Sequence, residues 1–267
     1  MRTRSILVLL CGSLLAAALA FPAQAITDGT RDGDGHPMVG ALLKTPLRDG
    51  SPGYYATCTG TLIDEDTFLT AAHCFFGSTD VLVSFDDQIE SNENEQDDTY
   101  AGEFIAHPQY QTATKYDLAV VELDEAVDIT PAELPEEGFL DEQTLVSKTT
   151  PFTNVGFGTD RPSKGQGGHM LFQSGYRQIS NSTFKGLNSN SLSLWQKAKK
   201  GDGGACHGDS GGPTFWGSSD DHEDDDHEDL IVGVIVTADT WCQSTLVDAR
   251  LDTDAARDFL DTYVDLP

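Results

Sequence analysis

The chain has 267 residues, with 16 lysines and arginines against 44 aspartates and glutamates, a formal net charge of −28. A chain of this length forms one large domain or two small ones. So large an acidic excess repels the phosphates of a nucleic acid, which excludes a nucleic-acid-binding protein.

The first 25 residues have the organisation of a secretory signal peptide. Arg2 and Arg4 precede an apolar run from Ile6 to Phe21, and Ala23-Gln24-Ala25 fits the small-x-small cleavage pattern. No later apolar run approaches the about 20 residues that a membrane helix needs. We therefore expect a secreted, soluble mature chain that begins at Ile26 and has no contact with a membrane.

After residue 25 the chain consists of short β-rich runs separated by glycine, proline, asparagine and aspartate, a pattern typical of an all-β sandwich or barrel. The clearest predicted strands are Gly60 to Ile63, Thr67 to Leu69, Val81 to Phe85, Leu118 to Leu123, Thr153 to Phe157 and Leu230 to Thr237. Pro131 to Gly138 is rich in proline and glutamate. This segment predicts a linker between two β units of similar size.

Two strongly acidic segments, Asp86 to Asp98 and Ser219 to Asp229, are predicted to be exposed loops. The acidic excess favours adaptation to high salt, since cations screen the repulsion among carboxylates. Solubilising charge concentrated in loops is the alternative, and a preference for cationic substrates is a third hypothesis. His222 and His227 in the second segment lack a fixed ligand spacing, which favours a solvated insertion over a metal site.

Only the C-terminal tail has a helical pattern. Asp252 is the predicted N-cap, and one helical face carries the apolar residues Ala255, Ala256, Phe259, Leu260 and Tyr263. We expect this face to pack against the body of the protein.

Four of the five cysteines follow the predicted signal peptide: Cys58, Cys74, Cys206 and Cys242. An even number of cysteines in an oxidising compartment predicts disulfide bonds. Four cysteines allow three pairings, and their spacing alone does not choose among them.

Ser210 lies in the segment Gly208-Asp209-Ser210-Gly211-Gly212-Pro213, where glycines let the backbone turn sharply and approach a ligand. The pattern also fits the G-x-S-x-G turn of α/β-hydrolases. That fold needs a histidine after the serine, and the only candidates are His222 and His227 in the acidic segment. Because the alternation of strands and helices is also missing, the α/β-hydrolase hypothesis is disfavoured.

Upstream, His73 follows a predicted strand and Asp117 directly precedes another. The order His73, Asp117, Ser210 is that of the chymotrypsin-like proteases, whereas subtilisins have the aspartate before the histidine. A serine hydroxyl is a poor nucleophile, so a histidine must take its proton and a carboxylate must orient that histidine.

On these motifs the sequence resembles the secreted trypsin/chymotrypsin-like serine proteases of peptidase family S1. Ile26 to Thr30 resembles the mature start of that family, Cys58 to Leu62 its first cysteine strand, and Gly156 to Gly158 its inter-barrel strand. The resemblance implies two six-stranded antiparallel β-barrels and a C-terminal helix. Residues 26–138 would form the first half of the peptidase domain and residues 139–267 the second.

The resemblance also implies roles for single residues. The catalytic residues would be His73, Asp117 and Ser210, with the backbone N–H groups of Gly208 and Ser210 as the oxyanion hole. The new α-amino group of Ile26 would lie beside Asp209, and signal peptidase itself would generate it. The implied disulfides are Cys58–Cys74 and Cys206–Cys242.

The implied specificity pocket has Gly204 at its base and Ala238 and Leu246 in its walls. Trypsins have an aspartate at the base, so we expect an uncharged substrate residue (P1) here. Val236-Thr237-Ala238 replaces the Ser-Trp-Gly of many relatives, which removes a side-chain bond to Asp117. Thr59 replaces a common glycine, a change we expect to be minor.

A calcium ion is a candidate structural cofactor, because the resemblance places Asp86 and Glu93 on ligand positions, although Gln96 stands where a carboxylate is expected. A solvated acidic loop is the alternative, and no cofactor is required for catalysis. The expected partners are protein or peptide substrates, and the expected state is a monomer. The alternative to an enzyme is a catalytically weak or inactive protein that uses the protease fold for binding.

Overall fold

A computed structural model describes residue 26 and residues 29–47, 50–89, 99–111, 115–159, 163–165, 168–170, 175–197, 201–219 and 229–267. The predicted signal peptide lies outside these residues. Among the described helices, none is long and apolar enough to cross a membrane.

The described strands and helices are short. In chain order they are β1 (Thr30–Arg31), β2 (Val39–Lys44), β3 (Tyr55–Asp64), β4 (Thr67–Thr70), β5 (Asp80–Ser84), β6 (Thr99–Ala106), β7 (Ala119–Leu123), α1 (Phe139–Glu142), β8 (Pro151–Gly156), β9 (Ser163–Gly165), β10 (Gly168–Met170), β11 (Gln178–Leu187), β12 (Ser191–Trp195), β13 (Pro213–Trp216), β14 (Ile231–Ala238), β15 (Thr245–Arg250) and α2 (Asp254–Leu260). A single 3₁₀ turn covers Ala72–Cys74.

The first closed barrel has the strand order β2-β3-β4-β7-β6-β5, and β5 pairs back with β2. All of its pairings are antiparallel. Both faces of its strands carry buried apolar side chains, among them Leu62 and Phe68 on one face and Leu69 and Val120 on the other. Because a closed barrel leaves no edge strand, every one of these strands has two hydrogen-bonded neighbours.

The second barrel has the order β8-β11-β12-β15-β14-β13, and β13 pairs back with β8. Its pairings are also antiparallel, and β1 extends the sheet beside β11. Leu192, Leu194, Val232 and Leu246 belong to its apolar core. The predicted architecture of two six-stranded antiparallel barrels is therefore confirmed.

The predicted linker, residues 131–138, packs along both barrels. The N–H of Ala132 donates to the backbone carbonyl of Leu62 at 2.9 Å, and the N–H of Glu133 donates to the backbone carbonyl of Asp229 at 3.0 Å. Helix α1, which the sequence does not predict, begins directly after this segment. The division into halves at residue 138 stays a prediction.

The predicted C-terminal helix is present and packs through buried Ala256, Phe259 and Leu260. Its N-cap was predicted wrongly. The cap is Thr253, whose side chain accepts from the N–H of Ala256, and the Asp252 carboxylate instead binds Arg250 and the N–H of Leu140. The Asp252 carboxylate therefore forms a buried ion pair with Arg250 instead of capping the helix.

Candidate active site

His73 and Asp117 are in direct contact. His73 lies in the 3₁₀ turn after β4, and Asp117 lies just before β7, which pairs with β4. The Asp117 carboxylate lies 2.8 Å from Nδ1 of His73 and accepts the His73 backbone N–H at 2.8 Å with its other oxygen. The Asp117 side chain is 1% exposed, whereas the imidazole is 28% exposed. The buried carboxylate therefore orients a ring that stays partly exposed.

Ser210 lies in a tight loop that leads into β13 of the second barrel. Gly208 and Gly211 have φ angles of 100° and 84°, which only glycine adopts without strain, so the motif's glycines are required by the turn. The carbonyl of Ser210 accepts the N–H of Thr59 at 2.9 Å. Thr59 follows Cys58, which is bonded to Cys74 beside His73, so this contact brings the serine loop to the histidine.

Both disulfides have the pairing that the resemblance implied. Cys58 is bonded to Cys74, and Cys206 is bonded to Cys242. The first bond ties β3 to the turn that carries His73. The second ties the segment before Ser210 to the loop between β14 and β15.

Asp209 is fully buried beneath the loop. Its carboxylate accepts the N–H of Gly158 at 2.7 Å and the N–H of Cys206 at 2.8 Å. A Cβ atom on Gly158 would lie 2.4 Å from this carboxylate, so the glycine leaves room for it. Ile26 is also buried, and its nitrogen, a peptide nitrogen in the uncleaved chain, donates to Oε1 of Gln178 at 3.0 Å. The contact of a free Ile26 amino group with Asp209 stays a prediction.

The predicted pocket residues Ala238 and Leu246 face each other across β14 and β15. Leu246 is fully buried in the same apolar cluster as Ala205, which follows Gly204, and partly buried Ala238 packs against this cluster. The side chain of Val236, where many relatives have serine, is also buried.

Gln196, which the sequence analysis missed, lies against Gly204. A Cβ atom on Gly204 would lie 2.2 Å from Oε1 of Gln196. The amide is held by bonds from Nε2 to the carbonyl of Thr245 at 3.1 Å and to Asp239 at 3.4 Å. No sequence signal indicated this contact, because Gln196 belongs to no motif.

Asp239 organises the loop behind this pocket. Burial alone would raise the pKa of its carboxyl, but the N–H groups of Thr245, Ser244 and Gln243 hold that pKa below its usual value. The carboxylate is therefore charged and saturated with backbone donors, which fixes the loop that Cys242 anchors.

Of the three predicted calcium ligands, the described residues include only Asp86. Asp86 is half-buried at the end of β5, whereas Glu93 and Gln96 lie outside the described residues, as do His222 and His227. The calcium site stays a prediction, and no step of the proposed mechanism uses it.

Comparison with known proteins gives one family. A family model described as Trypsin matches residues 32–248. Rat chymotrypsin-like elastase family member 1 is 30% identical over 177 residues, 60% of this chain and 62% of the relative. The bovine protein of the same name is 29% identical over 188 residues, 64% of this chain and 66% of the relative. This chain thus spans just under two thirds of the length of these two relatives.

Solved structures show the same fold. The structure of HBP, human heparin binding protein, has a TM-score of 0.64 at 20% identity and covers 91% of this chain and 98% of its own. The structure of HL collagenase has a TM-score of 0.65 at 20% identity, with 90% and 100% covered.

Proposed function

Since the chain belongs to the trypsin family of serine proteases, we propose that it is a secreted serine endopeptidase. The observation that carries this proposal is the contact of His73 with a buried Asp117, beside a glycine-rich loop that presents Ser210. The same three residue types in this order form the acyl-transfer machinery of the family.

In the proposed mechanism, the Ser210 hydroxyl oxygen attacks the substrate carbonyl while His73 takes the hydroxyl proton. Asp117 holds the imidazole in the required tautomer and stabilises the imidazolium. The N–H groups of Gly208 and Ser210 stabilise the oxyanion of the tetrahedral intermediate. His73 then gives its proton to the leaving amine, and an acyl-enzyme remains. Water, deprotonated by His73, releases the acid and regenerates the serine.

The pocket favours a small, uncharged P1 residue. Gly204 offers no carboxylate, so the charge of an entering lysine or arginine would lose water without an ionic partner. Gln196 occupies the space beside Gly204, and Leu246 opposite Ala238 narrows the walls. These contacts favour small aliphatic residues over the aromatic ones that the sequence left open.

The two disulfides are consistent with export, because disulfides persist in oxidising compartments outside the cytosol. Cleavage of the signal peptide would make Ile26 the mature N-terminus. Sequencing the N-terminus of the secreted protein tests this step. A first residue of Ile26 is expected, and any other first residue would overturn activation by signal peptidase.

A second candidate function is binding without catalysis. The fold likeness to human heparin binding protein supports it, because that protein is named for a ligand. The formal net charge of −28 disfavours a polyanion such as heparin as the ligand of this chain.

A peptide-library cleavage profile separates the two functions. Wild type should cleave after small uncharged residues, and Ser210→Ala should not cleave. Equal cleavage by wild type and Ser210→Ala would overturn the proposed mechanism.

Repeating the profile from low to high salt tests the proposed adaptation to high salt. If the protein is so adapted, its cleavage activity should rise with the salt concentration.

A further inference from the structure

Thr59 of the first barrel contacts the nucleophile loop of the second barrel at two carbonyl groups. Its hydroxyl donates to the carbonyl of Gly208 at 3.0 Å, and its backbone N–H donates to the carbonyl of Ser210 at 2.9 Å. The same hydroxyl accepts the N–H of Phe157 at 3.1 Å. The residue is fully buried, so water does not compete for these bonds. One side chain thus links β3, the end of β8 and the loop.

The surroundings of Thr59 fix its side chain. Its own carbonyl accepts the hydroxyl of Thr70 at 2.8 Å. A Cβ atom on Gly212 would lie 3.0 Å from Cγ2 of Thr59, and one on Gly211 would lie 2.3 Å from its carbonyl oxygen. A β-branched side chain has few rotamers, and this packing leaves the hydroxyl directed at Gly208.

Gly208 needs such a restraint. Its φ angle of 100° lies in a region that glycine enters and leaves freely, so its own conformation does not hold the loop. The Gly208 carbonyl lies between the two N–H groups proposed for the oxyanion hole, those of Gly208 and Ser210. Each carbonyl fixes its own peptide plane. The planes of the Gly208 and Ser210 carbonyls flank the plane that carries the Ser210 N–H, and the Gly208 plane also adjoins the one that carries the Gly208 N–H, so anchoring both carbonyls restricts how the two donor planes can rotate.

We propose that Thr59 is a positioning residue for the oxyanion hole: its hydroxyl holds the Gly208 carbonyl so that the Gly208 and Ser210 N–H groups converge on the developing oxyanion. This inference rests on the proposed function. It replaces the expectation that a threonine at this position is a minor change.

The test compares Thr59→Val, which keeps the shape and removes the hydroxyl, with Thr59→Ser, which keeps the hydroxyl. Loss of a whole oxyanion donor costs about 10²- to 10³-fold in kcat, and misdirection of the donors should cost about 10- to 100-fold. We expect that loss in kcat for Thr59→Val, a KM within about twofold of wild type, and recovery of most of kcat in Thr59→Ser.

The matched control is Thr61→Val on the same strand. Thr61 is also fully buried, and its hydroxyl has no hydrogen-bond partner among the described residues. It should keep the kcat of wild type. Each rate is divided by the concentration of active sites found by titration, so that misfolded protein does not count. If Thr59→Val does not fold, Thr59→Ala serves as the second variant that lacks the hydroxyl.

Affinity for a peptidyl boronate, whose tetrahedral adduct uses the oxyanion hole, distinguishes positioning from a general loss of structure. In Thr59→Val it should fall in proportion to kcat/KM, while the affinity for a non-reactive peptide stays unchanged. Wild-type kcat in Thr59→Val, or equal losses in Thr59→Val and Thr59→Ser, would overturn the inference alone. A wild type that hydrolyses no peptide would overturn the proposed function and this inference with it.

Discussion

The carboxylate of Asp117 binds His73 twice, at Nδ1 of the ring and at the backbone N–H, both at 2.8 Å. One buried side chain therefore fixes both the position of the residue and the orientation of its ring. Such a double contact favours the imidazole tautomer with its proton on Nδ1, and in the proposed mechanism the other ring nitrogen then accepts the proton of Ser210.

Asp117→Asn should lower kcat by about 10⁴-fold while leaving the fold intact, because an amide in this place favours the wrong imidazole tautomer. Steady-state kinetics on the best library peptide measures the effect. Asp124→Asn, an exposed change just beyond β7, is the control and should retain wild-type kcat. An active Asp117→Asn would exclude the proposed role.

Gly204→Asp alone should fail to create cleavage after arginine, because the new Cβ atom would lie 2.2 Å from Oε1 of Gln196. The double variant Gly204→Asp/Gln196→Gly makes room for the carboxylate. Its kcat/KM for an arginyl substrate should rise at least about 10-fold, since a charge-assisted hydrogen bond contributes about 1.5 to 3 kcal/mol. If the single variant already gains this activity, Gln196 does not occupy the base of the pocket.

Asp248 should make the protein less stable as the pH rises. Its carboxyl is fully buried on β15 of the second barrel, and the hydroxyl of Thr214 beside it offsets only part of the effect of burial. Burial raises the pKa of this carboxyl well above its usual range. Stability from this group is therefore full below its ordinary pKa and is lost as the pH rises through the raised value, by about 1.4 kcal/mol for each pKa unit.

In urea unfolding experiments, the Asp248→Asn variant should lose this fall in the free energy of unfolding with rising pH. At pH 7 its unfolding midpoint should lie at a higher urea concentration than that of wild type. Asp265→Asn, at an exposed position near the C-terminus, removes the same charge without the burial and should leave the profile unchanged. An identical pH slope in wild type and Asp248→Asn would contradict the assignment.

Asp32 should act in the opposite direction. It accepts from the ring of His36 at 2.7 Å and from Nε of the buried Arg177 at 2.9 Å. Burial alone would raise its pKa, but these two partners hold the pKa below its usual value. The stability from Asp32 is present above its ordinary pKa and is lost as the pH falls through the lowered value.

Asp32→Asn should lower the free energy of unfolding at pH 7 by about 3 to 5 kcal/mol, because it leaves the buried Arg177 charge without its carboxylate. Thermal unfolding of this variant beside the exposed control Asp34→Asn measures the difference. Equal stability of the two variants would show that the Asp32 pair contributes nothing.

The sequence predicted the features that depend on local pattern. All six predicted strands occur, because apolar runs between turn residues are a local signal. Their ends differ by one residue in β4, β5, β7 and β14, whereas β3 begins five residues and β8 two residues earlier than predicted. His73, Asp117 and Ser210 were identified because each lies in its own short motif.

What the sequence missed depends on tertiary contacts that no local pattern indicates. Thr59 and Gly208 are 149 residues apart. Gln196 contacts Gly204 closer along the chain, but neither the type of residue at 196 nor its spacing from Gly204 belongs to a recognisable motif. The wrong N-cap has the same cause, since Arg250 and Leu140 take the Asp252 carboxylate through tertiary contacts. A motif identifies the reacting groups but not the residues that hold them.

Labelling with a fluorophosphonate probe tests the central claim most directly, because only an activated serine reacts with it. Wild type should be labelled once per molecule, with the modification on the peptide that contains Ser210. The Ser210→Ala variant should not be labelled, and the Asp117→Asn variant should be labelled far more slowly than wild type. A folded wild type that resists the probe, or a Ser210→Ala variant labelled as fast as wild type, would contradict the account.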